Sequence, residues 1–149
     1  MIKEINILRQ KNAEEVLALQ TLGYQVEADL IGYANIPPLK DSAETLQQCE
    51  ETFLGYYING KLCGAISVKD GNGVLDIHRL FVHPNHFRKG IAQKLLNFIQ
   101  NRIGLEKMIV TTGSKNFPAV ALYEKNGFKK VEEIRVDESL TLTSLEKKF

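Results

Sequence analysis

Between Phe53 and Val82 the chain runs through three strand-forming segments with almost nothing between them. Phe53–Ile58 and Lys61–Lys69 are separated only by Asn59-Gly60. A type I′ turn needs positive φ at both central residues, and Asn-Gly meets that demand at least cost, so the pair is a strong hairpin signal. A second turn cluster, Asp70–Gly73, leads into Val74–Val82. Strands joined this tightly pair with their sequence neighbours in antiparallel sense. The centre of the chain is therefore committed to an antiparallel meander, and the rest must be placed around it.

Beyond the meander the pattern turns from strand to helix. His83-Pro84-Asn85 ends the third strand, and Lys89–Ile103 carries Ile91, Leu95, Phe98, Ile99 and Ile103 at helical spacing. Lys107–Thr112 is a short apolar strand, and a helix between two strands is the usual parallel crossover. Asn116–Asn126 reads as another helix, with Asn116 as N-cap and Pro118 in its first turn. Gly127 suits the left-handed position that closes it, which lets Phe128 pack back on Tyr123. Phe128–Val136 and Leu140–Lys147 are the last strands, with Leu140–Lys147 the expected edge.

On the N-terminal side, Ile2–Leu8 alternates as a strand and Asn12–Leu22 has helical spacing. A second helical piece is expected over Tyr24–Gly32 before Pro37-Pro38 breaks the chain. Asp41 with Glu44 three residues on suggests a capping box opening a short helix to about Glu50. The order β-α-α-β-β-β-α-β-α-β-β indicates a mixed α/β sheet. The 149 residues fit one domain spanning 1–149, large enough to bury a core without disulfide or metal staples.

Charge and cysteines exclude several classes. A net charge of +1 is too small for a broad nucleic-acid footprint. Cys49 and Cys63 match no metal spacing and no CxxC pattern, and read as reduced thiols of a cytoplasmic protein. No apolar run approaches the ~18 residues of a membrane span. His83 and His86 flank a loop with no third ligand, so no metal is expected.

The stretch with most chemistry in it is Val82-His83-Pro84-Asn85-His86-Phe87-Arg88-Lys89-Gly90-Ile91-Ala92. A strand ends, a loop turns, and a helix begins at small residues. Free N–H groups and the macrodipole at a helix start favour an anion, and Arg88 and Lys89 add positive charge there. Neither GxxxxGK[ST] nor GxGxxG is present. Taken alone, the loop fits a diphosphate site or a tight turn carrying two basic residues.

A second motif bears on that choice. Asn116, Ala119, Tyr123 and then Gly127-Phe128 resemble the second signature of the GNAT superfamily of N-acetyltransferases. Ile77–Pro84 followed by Arg88-Lys89-Gly90-Ile91-Ala92 resembles that family's acyl-CoA motif, Q/R-x-x-G-x-G/A. The resemblance covers most of the chain, and the strand order also matches. One position departs from it: Phe87 stands where the family often has Gln or Arg. The cradle rests mainly on backbone N–H groups, so the departure removes a side-chain contact rather than the site.

The resemblance implies a GNAT fold, with an antiparallel meander and a parallel strand pair that splays apart. It implies acetyl-CoA as co-substrate, no metal, and cofactor contacts from Leu80, Phe81, Val82, Arg88, Lys89, Gly90, Ile91, Ala92, Asn116 and Tyr123. The pantetheine arm would satisfy the splayed strand like an added strand. A main-chain N–H near Val82 would stabilise the oxyanion of the attacked thioester.

Strand alternation puts Asp76, His78, Leu80 and Val82 on one face. The family often draws its base from this strand, which leaves Asp76 and His78 as candidates, and His78 has the more suitable intrinsic pKa. Tyr123 is the expected general acid for the leaving thiolate. Glu27, Asp29 and Tyr33 lie where the acceptor should bind; they either meet a cationic amine or form a solvated helix face.

The expected acceptor is a primary amine on a small molecule or peptide, attacked directly in a ternary complex. A non-catalytic acyl-CoA-binding or sensing module is the alternative. A homodimer stays open, because no segment marks an interface.

Overall fold

The computed structural model describes residues 1–149. Its elements in chain order are β1 (Ile2–Ile5), α1 (Gln10–Ile31), α2 (Ala43–Gln48), β2 (Thr52–Ile58), β3 (Lys61–Gly71), β4 (Val74–Val82), α3 (Ile91–Gln100), β5 (Lys107–Gly113), α4 (Phe117–Lys125), β6 (Lys129–Arg135) and β7 (Thr141–Lys148). The seven strands form one sheet in the order β1-β2-β3-β4-β5-β7-β6. Only β4 and β5 run parallel; every other neighbouring pair is antiparallel.

The meander forms as its turns require. Asn59 and Gly60 have φ of 51° and 78°, the left-handed pair of a type I′ turn. Two cores lie on the two faces of the sheet. One gathers Leu54, Ile66, Leu75, Ile77, Met108 and Leu145 under Leu95, Leu96 and Ile99 of α3 and Tyr123 of α4. The other packs Val16, Leu19, Tyr24, Ala28 and Ile31 of α1 and Leu46 of α2 on Phe53, Ala65 and Phe81. Leu95 is 0% exposed at the centre of the first core. Leu95→Ala should cost about 2–5 kcal/mol, read as a lower urea midpoint at unchanged m-value.

Three sequence expectations need correction. The two N-terminal helical pieces are one helix, α1, running unbroken through Gly23 and ending where Gly32 turns left-handed at φ 72°. A glycine inside a helix costs about 1 kcal/mol relative to alanine. Here it permits close packing: a Cβ on Gly23 would lie 3.1 Å from Phe81 Cβ and 3.2 Å from the Val82 carbonyl oxygen. Gly23 thus lets the middle of α1 lie against the end of β4.

The capping box belongs to Ser42 and Thr45, not to Asp41 and Glu44. Ser42 Oγ accepts from Thr45 N–H and Thr45 Oγ1 accepts from Ser42 N–H. Asp41 stays outside the helix because its carboxylate is drawn to Arg79 and Gln20.

At the C-terminal side of the sheet the edge strand is β6 and not β7, because β7 inserts between β5 and β6 and pairs on both sides. All of β6 is exposed.

Candidate active site

The pairing of β4 with β5 is short. It runs from Val74 opposite Lys107 to Ile77 opposite Val110 and stops there. β4 continues to Val82, bonded only to β3 on its other side. The residues from His78 to Val82 leave about 16 Å of strand edge open at ~3.3 Å per residue. The N–H of His83 donates to Cys63 on β3 at 2.8 Å, so alternation turns the N–H groups of Leu80 and Val82 toward the opening. Leu80 N–H does point that way: it donates to the Tyr24 hydroxyl at 3.1 Å.

At the open end of β4 the chain makes a short 3-10 turn, Pro84–His86, and α3 begins. Arg88 and Gly90 both have left-handed φ, 65° and 76°, and Gly90 is the N-cap with no side chain capping the helix. The first N–H groups of α3 therefore have no partner inside the helix. Left-handed residues in such a loop turn successive N–H groups into an anion-binding concavity. A Cβ on Gly90 would meet nothing within 4 Å, so the space before the helix start is open. Arg88 and Lys89 are exposed beside it, whereas Ile91 is buried and offers only its backbone. These residues fit the diphosphate of an acyl-CoA.

The β4 side chains do not share the single face that simple alternation predicts. Opposite Ser67 and Val68 of β3 stand Arg79 and Ile77, so His78 is an extra residue, a β-bulge. The bulge switches the phase of the strand. Leu75, Ile77, Leu80 and Val82 pack toward α3, while Phe81 packs toward α1 and Arg79 reaches Asp41 before α2. Asp76 and His78 lie with Arg79, opposite Leu80 and Val82.

Around them is a buried ionic network that sequence reading missed. Arg79 holds Glu51 through Nη1 and Asp41 through Nη2, the latter at 3.1 Å. Burial alone would lower the guanidinium pKa, but Glu51 and Asp41 raise it on balance. Glu51 also accepts from Ser67 Oγ at 2.6 Å and lies 3.3 Å from His78 Nδ1, while His78 Nε2 lies 3.2 Å from Asp76. The one available signal was an arginine inside an apolar strand, which is seldom buried without partners.

The opening between β4 and β5 joins the two faces of the sheet. Tyr24 belongs to the α1 core and Tyr123 to the α3 and α4 core, yet both phenols sense Glu27 of α1. Burial, and then the charge of Glu27, raise both tyrosine pKa values well above the ordinary phenol range, so both hydroxyls keep their protons. Glu27 is itself raised by burial, partly offset by a hydrogen bond from Asn116 Nδ2. The Asn116 Oδ1 accepts from Ala119 N–H at 3.3 Å as the N-cap of α4. Tyr123 packs on Phe128 with ring centroids 5.3 Å apart.

The other acceptor candidates are engaged elsewhere. Asp29 accepts from Gln25 Nε2 at 3.0 Å, and Tyr33 donates to Asp137 at 2.9 Å. His83 Nδ1 accepts from Asn85 N–H, and His86 Nδ1 lies 3.2 Å from Lys89 Nζ.

A mixed sheet that opens at its one parallel pair, with a bare helix start at the open end, defines the acyl-CoA N-acyltransferase architecture. The model of the acetyltransferase (GNAT) domain matches residues 18–149, and the chain belongs to that family. The chain is 41% identical over 143 residues to the UPF0157 protein YqkA of Bacillus subtilis, covering 93% of this chain. It spans only 42% of the length of that relative. An acetyltransferase of Pectobacterium atrosepticum is 28% identical, with 92% of this chain and 95% of that protein aligned.

Solved structures share the fold at low identity. The ribosomal-protein-S18-alanine N-acetyltransferase of Escherichia coli superposes with a TM-score of 0.81 at 15% identity, over 99% of this chain and 92% of its own. The PaiA N-acetyltransferase of Thermoplasma acidophilum, solved with coenzyme A, gives 0.79 at 22% identity, over 100% and 98%. No helix is long and apolar enough to cross a membrane.

Proposed function

We propose that residues 1–149 act as one transferase unit that moves the acetyl group of acetyl-CoA to a primary amine of a small molecule or peptide by direct attack in a ternary complex. The observation that carries this reading is the open edge of β4 past Ile77, running to the bare start of α3 at Gly90. When bound, acetyl-CoA supplies an activated acyl group on a thiol leaving group. The backbone of Gly90, Ile91 and Ala92, with Arg88 and Lys89, holds the diphosphate. Leu80 and Val82 offer main chain to the pantetheine arm, whereas the Phe81 carbonyl turns back to Gly64 on β3, so Phe81 gives no such contact. Val82 N–H faces the developing oxyanion.

The proton path has two ends. Tyr123 donates its phenolic proton to the departing thiolate as the C–S bond breaks, and the second proton that the nitrogen sheds on forming the amide restores the phenol. His78, steadied between Glu51 and Asp76, takes a proton from the ammonium through water before attack. Asn116 caps α4 and fixes the cleft side of that helix rather than holding the cofactor alone. The free thiols Cys49 and Cys63 suit a reducing cytoplasm.

Calorimetry with coenzyme A tests the cradle. Gly90→Val places a branched side chain in the open space before α3, on a left-handed backbone. Coenzyme A affinity should fall at least tenfold, about 1.4 kcal/mol, by affinity arithmetic. Equal affinity in the folded variant removes the cradle. Thiol release over an amine panel then tests transfer; binding without release for any amine favours a sensing module.

A further inference from the structure

Helix α1 straddles the opening between β4 and β5. Tyr24 meets Leu80 N–H on the β4 side, and one turn later Glu27 meets Asn116, beyond the end of β5. Glu27 is half-buried, and only its Oε1 is engaged within the protein. No lysine, arginine or histidine pairs with it, in contrast to Glu51 and Asp41, which share Arg79. A partly buried carboxylate without a cation is costly, and an incoming ammonium would relieve that cost.

The flank of α1 beside it is apolar. Leu22, Val26 and Leu30 recur every four residues and are all exposed. A row of such residues on one helix flank forms a surface that water solvates poorly. Phe117, next to Asn116, is also exposed, at 69%.

We infer that Glu27, held in place by Asn116, receives the ammonium of the acceptor, and that the acceptor is a primary amine carried on an apolar group. This rests on the proposed transferase activity and narrows its acceptor class. Glu27 is the acceptor-binding residue, and Asn116 positions it. A Gln at position 27 can still accept from Asn116 Nδ2, so Glu27→Gln removes the charge and keeps the clamp.

The test is calorimetric titration of the coenzyme A-saturated protein with 2-phenylethylamine and with ethanolamine. The wild type should bind 2-phenylethylamine at least tenfold more tightly. Glu27→Gln should weaken it at least tenfold while coenzyme A affinity stays unchanged and Tm does not fall, since the unpaired carboxylate is costly to the fold. Leu30→Ser, at an exposed position, should weaken 2-phenylethylamine severalfold and leave ethanolamine alone. Equal affinity for the two amines, an unaffected Glu27→Gln variant, or no binding of either amine overturns the inference. Amine binding as expected with no consumption of acetyl-CoA keeps Glu27 as an ammonium site and removes the transferase reading with its acceptor.

Discussion

Tyr123→Phe should lower kcat by about 10²–10⁴-fold, the usual contribution of a positioned general acid, with acetyl-CoA affinity nearly unchanged. The hydroxyl is the only atom lost. The ring stays packed on Phe128, and Tyr123 is just 3% exposed, so the core keeps its shape. Burial and Glu27 raise the phenol pKa and no hydrogen bond lowers it, so the wild-type residue is protonated across the working pH range. Steady-state kinetics with an accepted amine check this. An unaltered kcat would leave Tyr123 as a packing residue.

The largest effect on stability should come from Arg79. Its side chain is 12% exposed, and its partners Glu51 and Asp41 are 6% and 14% exposed. Arg79→Ala strands both carboxylates in a poorly hydrated site, where losing one partner typically costs about 3–5 kcal/mol. At this chain length that corresponds to a Tm lower by about 10 °C. Arg79→Lys should recover only part of the loss, because one ammonium cannot reproduce the fork that reaches two carboxylates at once. A loss below ~1 kcal/mol in Arg79→Ala would mean that water reaches Glu51 and Asp41 after all.

These two residues differ in how visible they were in the sequence. Tyr123 sits in a spaced motif, Asn116 to Phe128, whose local consequences are fixed by helix geometry: the N-cap, the left-handed Gly127 and the ring pair all form as that spacing requires. Arg79 has no local signature. Its partners lie 28 and 38 residues away, after and before α2 respectively, and only the folded chain brings them to it. Glu27 is intermediate: its place in the cleft is settled once α1 is continuous through Gly23, but a glycine in a helical pattern argues for a break. The contact that keeps the helix whole is with Phe81 and Val82, far along the chain.

By itself the sequence determined what depends on neighbours along the chain. The Asn59-Gly60 turn and the meander it forces belong here, as do the helix start at Gly90 and the amphipathic helix behind it. Tertiary structure decided what depends on partners across the sheet. The bulge at His78 is a mismatch of register with β3, and no count along β4 alone reveals it. It reverses the strand's alternation and separates Asp76 and His78 from Leu80 and Val82. The early end of the β4–β5 pairing, the place of β7 inside the sheet and the meeting of Glu27 with Asn116 have the same origin. Strand periodicity is local, whereas register and neighbour choice are set by which surfaces the folded chain buries together.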